Sequence, residues 1–175
     1  MILPNVNRFE TLTTNRLLLK EITLQDATDL LQIRSNKTAM KYIDRPIASS
    51  LDDAEVLINT MAYNLKIGTG ICWGICLKNN AKLVGTIGFW NINKENNTAE
   101  FGYMLEPTLQ KIGIMTEAFE PIINYAFKKV KLKCLKAFVQ HKNIASINLL
   151  LKNGFVKSED EEESNLIYIK KIESI

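Results

Sequence analysis

Apolar positions along this chain change period in a way that marks out its elements. Arg16 to Ile22 is a mostly apolar run and reads as a first strand. Thr23, or the residues just after it, caps a helix whose apolar positions include Ala27, Leu30, Leu31 and Ile33. A short helical turn is expected near Ala39 to Ile43, after which Asp44-Arg45-Pro46 breaks the chain. Ser50 with Asp53 three residues on has the form of a helix start. Ala54, Leu57, Ile58, Met61 and Leu65 carry that helix to about Lys66. Gly68-Thr69-Gly70 then announces strands: Ile71 to Leu77, a hairpin turn at Asn79-Asn80, and Lys82 to Trp90. A polar loop from Asn91 to Asn97 leads to a third, Thr98 to Leu105. A helix follows Gly113 toward Val130, with Pro121 expected to kink it or leave a second start. Leu135 to Gln140 reads as a buried strand, and Asn143 to Lys152 as a short helix stopped by Asn153-Gly154. Phe155 to Lys157 and Leu166 to Ile172 close the chain as two more strands.

With 175 residues and no linker, repeat or low-complexity segment, the expectation is one α/β domain spanning 1–175. Twenty-two basic and nineteen acidic residues leave a formal charge of +3, too little to point to nucleic acid. Two charge runs stand out: the lysines from Lys128 to Lys136, and Glu159 to Glu163, placed at the turn between the last two strands. Both read as solvated surface. Cys72, Cys76 and Cys134 are odd in number and lack metal-ligand spacing, which favours buried free thiols in a reducing compartment. Met1 to Asn5 carries no charged-then-apolar leader, and no apolar stretch approaches the length of a membrane span. A cytoplasmic protein is expected.

The segment from Gln110 to Ala118 narrows the chemistry. A strand ends, the chain turns through Gly113, and a helix begins with backbone N–H groups that have no partner within the helix. Those groups and the positive end of the helix dipole form an anion site suited to phosphate. No second βαβ unit or downstream ribose-binding acid accompanies it, and no Gly-Lys-Ser/Thr follows a glycine. Dinucleotide and P-loop sites are therefore disfavoured.

Four motifs in order carry a resemblance over nearly the whole chain, from Arg16 to about Ile172. They are Gly85-Thr86-Ile87-Gly88, Ala99 to Tyr103, Gly113 to Ala118, and Asn143-Ile144-Ala145-Ser146 followed by Lys152-Asn153-Gly154-Phe155. The chain resembles the GNAT superfamily of acetyl-CoA-dependent N-acetyltransferases, and within it the RimJ/RimL branch that acts on ribosomal-protein N-termini. The resemblance implies a mixed, mostly antiparallel central sheet flanked by about four helices. It implies acetyl-CoA as the acetyl donor, no metal, and a homodimer as a compatible assembly. Gln110 and Gly113 match the superfamily's acyl-carrier motif. Met115 departs from it, and Lys111 stands where a further glycine is common, although a lysine beside a pyrophosphate is electrostatically reasonable. By resemblance, the N–H groups of Ile112, Gly113, Ile114, Met115 and Thr116 hold the pyrophosphate, with the Thr116 hydroxyl as an added donor. Main-chain groups near Met104 and Leu105 pair with the pantetheine arm, and Asn143 fastens it from the other side.

Acetyl transfer to an amine needs a neutral amine, a stabilised oxyanion and a proton for the departing thiolate. Glu100 is the candidate base, acting directly or through water; a structural carboxylate is an equal alternative. Many superfamily members place a tyrosine acid on the last helix, at a position held here by Leu150. Ser146 is then the candidate proton donor or thiol-orienting group, with a first-turn hydroxyl bonded to backbone as its alternative. His141 reads as a loop or cap residue. Trp90, Tyr42, Tyr63 and Trp73 are able to line an acceptor cleft, with core packing the default for each.

The expected activity is acetyl transfer from acetyl-CoA to a primary amine by direct attack in a ternary complex. The acceptor most in keeping with the resemblance is a protein N-terminal α-amine, possible partners including a ribosomal protein. Polyamines or other small amines, and a catalytically silent acyl-CoA-binding module, stay open as alternatives. Direct nucleic-acid and membrane partners are not expected.

Overall fold

The computed structural model describes residues 9–162 and 165–172. Among them runs one eight-stranded sheet in the order β1-β2-β3-β4-β5-β6-β8-β7. Its strands are β1 (Leu12–Thr13), β2 (Leu17–Glu21), β3 (Ile71–Leu77), β4 (Asn80–Asn93), β5 (Thr98–Leu105), β6 (Cys134–Gln140), β7 (Val156–Glu162) and β8 (Asn165–Lys171). The helices are α1 (Ala27–Arg34), α2 (Lys37–Met40), α3 (Leu51–Ile67), α4 (Ile114–Asn124) and α5 (Ile144–Lys152). All neighbouring strands pair antiparallel except β5 and β6. This is the expected mixed, mostly antiparallel sheet, with five α-helices where about four were anticipated.

Side chains alternate across the strands and sort the helices onto two faces. Ile71, Trp73, Phe89, Phe101 and Leu135 face a core shared with α4, the buried Leu150 of α5, and Phe155. Leu83 and Met104 face a second core with Leu30 and Ile33 of α1, Met40 of α2 and Ile58 of α3. The polypeptide between β2 and β3 therefore covers one face, and α4 and α5 cover the other.

Local chemistry accounts for most boundaries. Ser50 Oγ accepts the Asp53 N–H at 3.2 Å while the Asp53 carboxylate accepts the Ser50 N–H at 3.0 Å, a reciprocal cap that starts α3 as expected. Asn143 Oδ1 accepts the Ser146 N–H and starts α5. Elsewhere the structure differs from the pattern reading. The β3–β4 turn falls on Lys78-Asn79, one residue early, because Asn80 already pairs with Leu77. Pro121 neither ends α4 nor restarts it. The helix continues to Asn124, and the missing ladder bond is followed by a widened π turn over Tyr125–Lys129, closed by Val130 N–H on the Tyr125 carbonyl. Acidic residues 159–162 belong to edge strand β7 rather than to a hairpin tip, and Glu163 lies outside the described residues. An exposed edge tolerates such a run because charge there also discourages edge-to-edge pairing. All three cysteines are free thiols. No helix among the described residues is long and apolar enough to cross a membrane.

The sheet is incomplete at one place. Parallel pairing of β5 with β6 covers only Thr98, Ala99 and Glu100, opposite Cys134, Leu135 and Lys136. Beyond Glu100 the two strands part, and both separated segments line a single cavity of about 1540 Å³.

Candidate active site

The cavity reaches both faces of the sheet. On the α4 side its wall is the segment after β5. Gln110 turns back, its Nε2 donating to the Leu105 carbonyl at 3.1 Å, and so ties the loop to the strand end. Lys111 follows with φ +65°, a left-handed conformation that strains a side-chain-bearing residue by about 1–2 kcal/mol. That conformation explains why glycine is common at this position. Gly113 has φ +83° and caps α4 without any side-chain hydrogen bond. The first amides of α4 are thereby left without a side-chain partner, and Gly113, Ile114, Met115 and Thr116 line the cavity. The side chain of Met115 is buried in the core, so its bulk does not obstruct the main chain. Thr116 Oγ1 has no hydrogen-bond partner among the described residues. Ile112 is exposed and is not part of the cavity wall; its carbonyl accepts Arg16 Nη1 at 3.0 Å.

Glu117 fixes this loop from below. Its carboxylate accepts the Thr14 hydroxyl, the Arg16 backbone N–H at 2.7 Å and Arg16 Nε at 2.6 Å, which binds the start of α4 to the β1–β2 hairpin. Burial raises the Glu117 pKa, but the bonds from Thr14 and Arg16 outweigh it and hold the carboxyl below its ordinary value. The first turn of α4 is thus stabilised with its amides still facing the cavity.

The main chain along the gap follows from strand geometry. Glu106 N–H bonds the Val84 carbonyl on β4, so at a two-residue period Met104 also turns its main-chain groups toward β4. Tyr103 and Leu105 turn theirs toward the gap. Of the two residues expected to present main-chain groups to the pantetheine arm, Leu105 turns them toward the gap, as Tyr103 does, and Met104 turns them toward β4. Asn143 lines the cavity from the α5 side, with its Oδ1 engaged in the helix cap.

Ser146 stands one turn into α5, and its Oγ lies 2.6 Å from the Tyr103 hydroxyl. Burial pushes the Tyr103 phenol up to about 12, against the smaller opposing effect of the Ser146 bond. The phenol is therefore protonated throughout the physiological range, and either hydroxyl can be the donor in this bond. Tyr103 escaped the sequence reading because its partner is 43 residues away. The available signal was its two-residue offset from Phe101, which puts both rings on one face. Leu150 is fully buried in the core, so that position offers no group to the cavity.

Glu100 lies where the gap opens, on the opposite face with Met104 and the α1–α3 helices. Trp90 Nε1 donates to its Oε2 at 3.0 Å and Asn91 Nδ2 to its Oε1 at 2.8 Å. The Trp90 ring lies over Gly102, where an added Cβ would overlap it, so glycine is what lets the indole reach Glu100. Trp90 and Tyr42 line the cavity and Tyr63 is exposed, so core packing holds for Trp73 alone of the four aromatic residues weighed. Cys72 also lines the cavity, but burial pushes its thiol up to about 12, which leaves it a poor nucleophile. His141 sits in an exposed turn. No cluster of three or more His, Cys, Asp or Glu able to hold a metal occurs among the described residues.

A family model described as an acetyltransferase (GNAT) domain matches residues 16–156. The chain belongs to the GNAT acetyltransferase family. An uncharacterized N-acetyltransferase, YoaA, from Bacillus subtilis (strain 168) is 35% identical over 149 residues, covering 85% of this chain and 84% of its own. Among solved structures, a ribosomal L7/L12 α-N-protein acetyltransferase, RimL, in complex with coenzyme A superposes with a TM-score of 0.83. It is 18% identical, with 93% of this chain and 98% of that one covered. The microcin C7 self-immunity acetyltransferase MccE, in complex with acetyl-CoA and AMP, gives a TM-score of 0.77 at 21% identity, covering 91% and 94%. As a GNAT domain the chain is an acetyl-CoA-dependent N-acetyltransferase. The uncapped amides of α4 and the unpaired edge of β5 fit that donor: one supplies N–H groups for phosphate, the other gap-facing main-chain groups for an amide-bearing arm.

Proposed function

We propose that this GNAT enzyme acetylates a protein N-terminal α-amine, with Glu100 and Ser146 serving opposite ends of the transfer. Acetyl-CoA supplies the activated thioester. Amides of Gly113, Ile114, Met115 and Thr116 bind its pyrophosphate, with Lys111 adding positive charge, while the gap-facing main chain of Tyr103 and Leu105 orients the arm. Glu100 accepts the proton that the ammonium must lose, directly or through water. An α-amine near pKa ~8 needs far less help than a lysine near ~10.4, which suits a single carboxylate base. Ser146 Oγ–H donates to the departing thiolate sulfur and is reprotonated from the Tyr103 hydroxyl, and the tyrosinate so formed regains its proton from water through the open cavity. A main-chain N–H along the gap is suitably placed to polarise the carbonyl.

The observation that carries this reading is the position of Glu100, at the mouth of the strand gap and held by two N–H donors on the face away from α4. The cavity exceeds the ~300–1,000 Å³ usual for a small ligand, which favours a donor and a peptide end together. The fold shared with RimL, an N-terminal acetyltransferase, supports the same acceptor class.

The test is free-thiol release from acetyl-CoA with a panel of N-terminally free peptides, N-blocked lysine peptides and polyamines, each product located by mass spectrometry. Acetyl groups found on α-amines support the proposal. Acetylation confined to lysine side chains or polyamines would replace the acceptor.

A further inference from the structure

The face that carries Glu100 also carries two arginines with no carboxylate to match them. Arg34 ends α1 and Arg45 lies in the segment leading to α3, and both line the cavity. Arg34 is half-buried. Its Nη2 donates to the Pro46 carbonyl at 3.2 Å, and its Nε is buried without a hydrogen-bond partner. The Pro46 bond, with Ala48 N–H on the Arg34 carbonyl at 3.1 Å, straps this segment to the end of α1 and keeps Arg45 near Arg34. Asp44 lines the same cavity, yet no carboxylate among the described residues is within ion-pair distance of either guanidinium. Burial, and then the charge of Arg45, hold Arg34 below its ordinary pKa. Arg34 therefore feels the charge of Arg45 with no ion-paired carboxylate to offset it. A desolvated guanidinium is costly unless it meets an acceptor, and its planar fork fits carboxylate best.

We infer that Arg34 and Arg45 form a clamp for a carboxylate carried by the acceptor, so that the amine entering beside Glu100 belongs to an anionic molecule. The inference rests on the reading of the Glu100 face as the acceptor side. The phosphates of the donor are served from the other face, by the amides of α4. Two sources offer the same chemistry: acidic side chains close to a peptide N-terminus, or the α-carboxylate of a free amino acid.

Two matched pairs distinguish them: a hexapeptide beginning Ser-Asp-Glu against one beginning Ser-Asn-Gln, and serine against serinamide. Each is assayed for kcat/KM. The N-acetylated peptides are also assayed for binding in the presence of coenzyme A, a readout independent of turnover. The acidic member of at least one pair is expected to win by about tenfold or more, as a charged hydrogen bond would give. Arg45→Gln, at an exposed and unpaired site, should reduce that margin to roughly threefold or less while the KM for acetyl-CoA holds; Arg34→Lys should reduce it in part. Equal treatment of both members in both pairs overturns the clamp even if every amine is acetylated. So does a rise in the KM for acetyl-CoA, without loss of acidic preference, in the arginine variants. Tenfold tighter binding of the acidic acetylated peptide without any turnover would uphold the clamp and sink the amine-transfer reading instead.

Discussion

Replacing Ser146 and Tyr103 singly and together tests whether they act as one proton path. Ser146→Ala removes the group placed to protonate the leaving sulfur, and loss of a general acid lowers kcat by about 100-fold or more. Tyr103→Phe keeps the ring, whose centroid packs 4.8 Å from that of Phe119, and deletes only the hydroxyl 2.6 Å from Ser146 Oγ. A neutral hydrogen bond is worth roughly 1 kcal/mol, so the expected loss in kcat is about fivefold to tenfold. Folding stability should fall by no more than about the same amount. Because Tyr103 acts through Ser146, the double variant should be no slower than Ser146→Ala alone. The assay is steady-state thiol release at saturating acetyl-CoA, with KM for both substrates and Tm measured beside it. With the phenol pushed up to about 12, no alkaline fall in kcat from Tyr103 is expected below about that pH. Additive losses in the double variant would show two independent roles. A loss under threefold in Ser146→Ala, with KM unchanged, would remove the pair from the mechanism.

Gly102→Ala should displace the Trp90 ring and with it the Nε1 bond to Glu100, lowering kcat/KM for the acceptor by about tenfold or more. Acetyl-CoA affinity, measured by calorimetry, should stay within about twofold, and an equal loss for both substrates would refute that division. Gly113→Ala must hold φ +83°, at a strain of about 1–2 kcal/mol, with Arg16 Nη2 only 3.3 Å from the new Cβ. Its expected result is roughly tenfold weaker acetyl-CoA binding with the fold retained by Tm; unchanged affinity would count against the phosphate loop. The depressed carboxyl of Glu117 stabilises the fold fully above the ordinary glutamate range, about pH 4.3, and this stabilisation is lost as pH falls through its lower folded value. Wild type should therefore lose more Tm than Glu117→Gln below about pH 4, and parallel curves would show that the Arg16–Glu117 tie contributes nothing.

Much of the fold was legible because its strands and helices are written locally. The run Ile71 to Leu77 matched β3 at both ends, and the Ser50–Asp53 pair placed the start of α3, since each signal lies within a few residues of its effect. The two-residue β1 carried no such signal: it exists because Leu12 and Thr13 pair with Leu19 and Leu18, a partner the chain supplies only after turning. Charge misled at β7, where residues 159–162 look like a loop but belong to the strand, which regains its pairing with β8 at Glu161 and Glu162 after an irregularity that follows Lys157. The turn and helix start that line the cavity on the α4 side were readable from Gly113 and the apolar period behind it. Contacts that bridge distant segments were not, among them Tyr103 with Ser146, Arg16 with Glu117, and Arg34 with the strap that follows Arg45.

Which side of the sheet each group serves depends on register, and register explains how, in the proposed reaction, Glu100 and Ser146 act without touching. Glu100 pairs with Trp90 and points to the α1–α3 face; Tyr103, three residues on, pairs with Ile87 and points to the other. A base and an acid in direct contact would hydrogen-bond to each other rather than to the reacting groups. Separated by the thickness of the sheet, they meet only through the gap that opens when β5 and β6 part after Glu100. A thioester held in that gap would present its carbonyl carbon toward an amine on the Glu100 side and its sulfur toward Ser146. The proton removed from the amine and the proton given to the thiolate then belong to different pools, so neither group must reset the other within the chemical step. A one-residue slip of β5 would place Glu100 beside α4 and Tyr103 beside Trp90, abolishing that division without changing a single residue.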